Sequence, residues 1–393
     1  MRAETPIAPL APDAEARERE CADLVAELCR SALTGRPAPA VAPCAERIDP
    51  GHFAALAGRN RLWSACARGF TVNGLAPPPP LAEAIRAGRR RAMIGNARVI
   101  ATAKHVLPRL RERSVEAVTM KGPLFHHMLH GDLLFRRSSD LDLLVPRAQF
   151  GAARTVLAEL GFHADPANAG PWWTSSLGEL HLFPRNPGHC VIDLHHRVQQ
   201  PGCPAPRDVS LFLADPAVVE LAGVAMPGLS RLNALLLACL TLAKEAVHRA
   251  PSGMHAYDVA AGFLRLEPRE SASFWRMASH QRLANTVRFA LALAEGALGL
   301  PLSPEGGRAG ATAPPGEAEP WFDMVFRPHC QGLMRPRRRE LLWRMCDGAP
   351  AARIVFFACE AGRVTAGELL RRWTTRPSGQ LLQRGRIVDP DLC

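Results

Sequence analysis

The chain has 393 residues, length for two or three domains, and with 47% hydrophobic and 22% charged residues it has the composition of a globular protein with a sizeable core. Its eleven scattered cysteines include no Cys-x-x-Cys pair, which argues against a disulfide framework or a zinc ribbon and reads as reduced thiols in a cytoplasmic protein. The net charge of +11 is almost all arginine, since lysine stands only at Lys104, Lys121 and Lys244; GC-rich coding accounts for much of that, yet such a surface also attracts phosphate-bearing ligands.

No apolar run follows Arg2, and Pro6, Pro9 and Pro12 interrupt the start, so no signal peptide is expected. Helical spacing covers 12–32, followed by a Pro/Ala-rich link at 36–50, a helix at 51–68, a rigid Pro77–Pro80 spacer, and a long helix from Leu81 to about Arg113 with Pro108 as a kink. At Val115 the pattern turns β-prone up to Met120 and stops at Lys121-Gly122-Pro123. Proline suits the first position of a helix that should run to about Gly131. A strand is expected at 139–145, an amphipathic helix at 147–160, and two strands at 179–183 and 190–195 joined by a turn at Arg185–Gly188. Beyond 208 the pattern is helical again, at 209–223, 230–249, 253–266, 273–299, 336–348, 351–361 and 365–372. The longest apolar stretch, Leu232 to Ala243, is too short to span a bilayer. The expected fold class is α+β. A helical N-terminal region (1–98) precedes a small mixed-sheet core (99–205). A helical C-terminal region (206–375) with a loop insert at 301–320 and a disordered tail (376–393) follow.

The chemistry concentrates in the core. In Ser139-Asp140-Leu141-Asp142-Leu143, strand alternation turns Asp140 and Asp142 to one face and the leucines to the other. Carboxylates two residues apart stand about 7 Å apart along a strand, a spacing able to chelate two divalent ions about 3.5–4 Å apart. Solvated aspartates at a strand end would also explain the triplet alone. Asp193, inside the apolar Val191-Ile192-Asp193-Leu194, adds a third carboxylate that needs a partner or a metal if buried. Lys121-Gly122 at a strand–helix turn presents backbone amides, a helix N-terminus and a flexible cation, all suited to phosphate. Arg136 and Arg137 precede the Asp-x-Asp strand within reach of a triphosphate. His195 shares the face of Asp193. Trp172-Trp173 offers a stacking surface or loop packing, and His248 and Asp258 are candidates for an acceptor side.

Taken together, Lys-Gly, an arginine four residues before Asp-Leu-Asp-Leu-Leu-Val, and then Val-Ile-Asp-Leu-His-His resemble an uncharacterised bacterial nucleotidyltransferase family of the DNA-polymerase-β-like superfamily. The resemblance is specific over 118–197. It implies a nucleotidyltransferase core in which Asp140, Asp142 and Asp193 are catalytic and bind two Mg²⁺ ions, and Lys121, Gly122 and Arg136 bind the nucleotide. Two departures stand out: Pro123 replaces the serine usual after the turn glycine, and Gly122 lies further from Asp140 than in the familiar pattern. The expected activity is Mg²⁺-dependent transfer of an NMP from an NTP to a hydroxyl of a small molecule, peptide or saccharide in biosynthesis. Nucleic acid is not favoured as a partner, and no membrane association is expected. The alternatives are an inactive nucleotide- or partner-binding protein of the same fold, or an RNA-directed nucleotidyltransferase.

Overall fold

The computed structural model describes residues 12–166, 169–221, 223–302, 318–330 and 336–374. The insert expected at 301–320 falls mostly, and the tail at 376–393 wholly, outside the described residues. Helices α1 (Pro12–Thr34), α2 (Val41–Arg47), α3 (Pro50–Arg59), α4 (Trp63–Val72) and α5 (Pro79–Glu112) precede a mixed sheet. Its strands are β1 (Val118–Thr119), β2 (Asp140–Leu144), β3 (Phe162–Ala164), β4 (Glu179–Pro184), β5 (Val191–His195), β6 (Ala217–Leu221) and β7 (Val224–Gly228), with α6 (Pro123–His130) and α7 (Phe150–Glu159) between them. Helices α8 (Arg231–His248), α9 (Gly253–Phe263), α10 (Pro268–His280), α11 (Ala284–Leu298), α12 (Ala318–Phe326), α13 (Arg338–Met345) and α14 (Pro350–Thr374) complete the α+β fold.

The strand order is β3-β4-β5-β2-β1-β7-β6. The β2–β5 and β1–β7 pairs are parallel, and the other neighbours are antiparallel. Alternation along β2 and β5 sends Leu141, Leu143, Ile192 and Leu194 to one face. There they pack with Val99, Ala103 and Val106 of α5 and Ala153, Val156 and Leu157 of α7. On the other face Val118, Met120 and Leu144 join a second core with Leu24 and Leu28 of α1, Phe53 of α3, Leu235 of α8, Tyr257 of α9 and Phe326 of α12. The helices before and after the sheet thus share one core. Burying a side chain of this size stabilises by roughly 1.5–3 kcal/mol.

Several elements differ from expectation. The expected helix at 209–223 is instead a short 3-10 turn at Val209–Phe212 followed by β6, which forms a hairpin with β7. The β-branched Val218, Val219 and Val224 and the left-handed Gly223 (φ 77°) favour strands around a tight turn. Residues 51–68 split into α3 and α4, with Arg61 in the left-handed region (φ 58°). The buried Asn60 side-chain amide donates there to the Leu56 and Phe326 carbonyls. Likewise 273–299 breaks into α10 and α11 at Arg282 (φ 59°), whereas 351–372 is one continuous helix. No helix among the described residues is long and apolar enough to cross a membrane.

Candidate active site

The parallel ladder of β2 and β5 pairs Asp142 directly with Asp193, and the antiparallel ladder of β5 and β4 pairs Asp193 with His181 and His195 with Glu179. Because neighbouring strands lie about 4.8 Å apart and paired residues share a face, Asp142, Asp193 and His181 form a row across three strands. His195 and Glu179 form the next row on the same face. Asp140 stands two residues before Asp142, also on that face.

Lys121 follows β1, where the Met120 amide donates to the Asp142 carbonyl at 3.0 Å. Its ammonium lies 3.3 Å from Asp142 Oδ1, with about a third of the side chain exposed. The next residue, Gly122, has φ 82° and ψ −153°, a conformation essentially reserved for glycine. Its carbonyl accepts from the His126 amide at 3.1 Å and so opens α6. We expect Gly122→Ala to destabilise the fold by about 1–3 kcal/mol through backbone strain. The space itself is open, since an added Cβ would sit 3.6 Å from Ser138 Oγ. A urea-denaturation midpoint unchanged from wild type would contradict this.

The site is electronegative and held together by its cations. Burial, and then the neighbouring Asp142 and Asp193, push the Asp140 carboxyl up to about 6. Burial acts in the same direction on Asp142, but Lys121 and His195 outweigh it and hold that carboxyl well below the usual range. Asp142 in turn raises the Lys121 ammonium. His181 Nδ1 lies 2.5 Å from Asp193 Oδ1 and Nε2 lies 3.1 Å from Glu179 Oε1. These two bonds push its imidazole up to about 10 against burial, so it is charged at neutral pH. Glu179 falls to about 2, burial being outweighed by His181 and His195.

Asp142, Asp193 and His195 present ligand atoms within 4.8 Å of one another, and so do Glu179, His181 and Asp193. Asp140 belongs to neither group. His195 Nε2 is buried 3.3 Å from Asp142 Oδ1 but makes no hydrogen bond. A buried nitrogen at ion-pair distance from a carboxylate, yet without a well-formed hydrogen bond, fits a cation-binding centre. A remote third group, Glu18, His329 and Cys330, is less suited to a cation, because Arg59 already neutralises Glu18 and His329 Nε2 lies 3.0 Å from its carboxylate.

Of the six residues expected at the site, five line this face or its edge: Asp140, Asp142, Asp193, Lys121 and Gly122. Arg136 is placed differently. Its Nη1 donates to Asp258 Oδ2 at 3.0 Å and its Nε to His126 Nε2 at 2.8 Å, so it is engaged in a buried cluster behind α6. Asp258, considered for an acceptor side, is fully buried there and cannot line an open surface. Trp173 packs edge-on to His181 at 5.4 Å, and Trp172 and Trp173 belong to a π-helical turn, Trp172–Leu177.

Sequence reasoning missed Glu179, His181 and Asn96. The first two alternate with Leu180 and Leu182, a polar face on an apolar strand. Asn96 of α5, fully buried, donates to the Leu133 and Arg136 carbonyls and accepts from the Ser138 amide. It thereby fixes the loop that delivers Asp140. Its signal is an amide at a core-facing helical position among Ala92, Val99 and Ala103.

No curated protein matches the chain. A family model described as an uncharacterised nucleotidyltransferase matches residues 46–299, which contain the whole sheet and every residue of this face. With nearly two thirds of its length matched, the chain belongs to this uncharacterised nucleotidyltransferase family.

Proposed function

We propose that the protein is a Mg²⁺-dependent nucleotidyltransferase that moves an NMP from an NTP to a hydroxyl of a small molecule, peptide or saccharide. The observation that carries this reading is the pairing of Asp142 with Asp193 across the β2–β5 ladder, beside a buried His195 Nε2 that lacks a hydrogen bond. Asp142 and Asp193, with Asp140 at the edge, would hold the ions. Bound Mg²⁺ supplies charge neutralisation to the triphosphate and to the attacking and leaving oxygens. Lys121 and the N-terminal turn of α6 offer positive potential to the phosphates. Asp193 accepts the proton of the attacking hydroxyl as the acceptor oxygen bonds to the α-phosphorus and the bond to pyrophosphate breaks. His181, already protonated, cannot be that base at neutral pH; it holds the Asp193 carboxylate in place. Arg136 acts at one remove, anchoring α6 and the approach to β2. The test is Mg²⁺-dependent pyrophosphate release from NTPs across candidate acceptors.

The imidazole in the donor set has a consequence for selectivity. Nitrogen ligands favour transition-metal ions over Mg²⁺. Mn²⁺ is therefore expected to bind about tenfold or more tightly than Mg²⁺ by calorimetry, a 1.4 kcal/mol difference. His195→Ala should shrink that gap. Equal affinities in the wild type would remove His195 from the ligand set.

Pro123 favours a second reading, nucleotide binding without turnover, because it lacks the hydroxyl usual at this turn. Saturable Mg²⁺-NTP binding with no pyrophosphate release across acceptors would support it.

A further inference from the structure

On the opposite side of the sheet from the carboxylates lies a cavity of about 280 Å³, lined by Arg147, Phe150, Gly151, Arg154, Thr174 and His196 among others. His196 follows His195, so alternation turns it away from the candidate active site. Its ring meets Phe150 edge-on at 5.0 Å, and its Nε2 donates to the Thr174 carbonyl at 2.7 Å. No carboxylate lines the cavity, and neither Arg147 nor Arg154 has an acidic partner among the described residues. The charge continues around it. Arg147 and Arg363 both act on Arg197, and Glu360, the acid opposing them there, is bound by Arg363 and by the Gly202 amide. A 3-10 turn, Arg147–Gln149, runs straight into α7 here, and its Pro146 and Arg147 carbonyls accept from the Gln149 and Phe150 amides. Two guanidiniums without acidic partners, around a cavity at the positive end of a helix, form a site for an anion. Clustered like charges also oppose folding unless a counter-charge arrives.

We propose that this cleft is a second binding site, separate from the nucleotidyl-transfer centre, for a small phosphomonoester. The phosphate would sit between Arg147, Arg154 and the Gly151 end of α7, and its organic part against the Phe150 ring. The volume is near the lower end of ligand pockets, roughly 300 Å³, which suits a phosphate with a compact organic group rather than an extended polymer.

The test is calorimetry on the full chain in EDTA with inorganic phosphate and phenyl phosphate, using chloride at matched ionic strength as control. Phosphate should bind saturably, phenyl phosphate more tightly, and both about tenfold or more weakly in Arg147→Gln/Arg154→Gln. Gly151→Asp is the check on folding. A Cβ at Gly151 meets nothing within 4 Å, and an acidic residue in the first turn favours the helix. This variant should therefore match or exceed the wild-type melting temperature while losing phosphate binding. Asp193→Asn and Lys121→Met should bind phosphate as the wild type does. Phosphate binding that survives both cleft variants, or that is lost with Lys121→Met, would overturn the proposal. So would the absence of binding in the wild type, tighter binding of inorganic phosphate than of phenyl phosphate, or a cleft whose variants alter only the binding of single-stranded RNA. None of these outcomes depends on whether nucleotidyl transfer is detected.

Discussion

Asp142→Asn and Asp193→Asn should each lower NTP-dependent pyrophosphate release by about 10³-fold, roughly 4 kcal/mol of lost transition-state stabilisation. The two carboxylates are paired residues on adjacent strands, so removing either charge breaks up the same carboxylate pair rather than one of two independent contacts. Asp140→Asn separates function from folding. Its folded carboxyl is raised to about 6 from an ordinary 3.8, so the ionised form opposes folding. That penalty is absent below the unfolded value, develops between about 4 and 6, and is fully present above. In EDTA, Asp140→Asn should therefore melt above the wild type at pH 7.5 and with it at pH 3.5, while activity in Mg²⁺ falls. Thermal melts across this range, run beside the pyrophosphate assay, check both halves. A variant that keeps full activity would remove its carboxylate from the catalytic set, and an Asp140→Asn that melts below the wild type at pH 7.5 would contradict the repulsion.

The carboxylate face was legible because strand alternation is local. Asp140, Asp142 and Asp193 interrupt runs of leucine, isoleucine and valine, and an ionisable group at such a position asks for a partner. What alternation does not reveal is which strands are neighbours. The parallel β2–β5 pairing, which sets Asp142 against Asp193, is a long-range choice made by packing of α5 and α7 on the leucine face. Glu179 and His181 went unread for the same reason, since they matter only because β4 lies beside β5. Strand β6 reads as helix in the sequence because a short edge strand carries little periodicity, and pairing with β7 overrides a weak local preference. Arg136 shows the converse limit. Its sequence position before the Asp-x-Asp strand is equally compatible with a phosphate and with a buried carboxylate, and Asp258, 122 residues further on, engages it.

That buried cluster carries the second large effect: Asp258→Ala should cost about 3–5 kcal/mol of stability, because it leaves Arg136 as an uncompensated charge. Asp258 is fully buried on α9 and reaches two other elements. His130 Nε2 of α6 lies 2.7 Å from Oδ1, and Arg136 Nη1, on the approach to β2, lies 3.0 Å from Oδ2. Burial alone would raise this carboxyl, yet Arg136 and His130 hold it far below the ordinary carboxylate range. A depressed acid contributes stability that is complete above its unfolded value near 4 and is lost as the pH falls through its folded value. The gap in denaturation midpoint between wild type and Asp258→Asn should therefore be constant from about pH 7 to 8, where His130 is neutral, and close progressively below 4. His126 and His130 act in a higher window: burial holds both below their ordinary value. The unfolded chain thus binds protons the folded chain refuses, and wild-type stability falls as the pH drops below about 6.5. The double variant Asp258→Leu/Arg136→Met tests the pairing itself. It removes both charges, and should recover most of what Asp258→Ala loses. If the double variant is as unstable as the sum of the single ones, Arg136 and Asp258 are not energetically coupled, and the anchoring role of Arg136 behind the Gly122 turn falls with it.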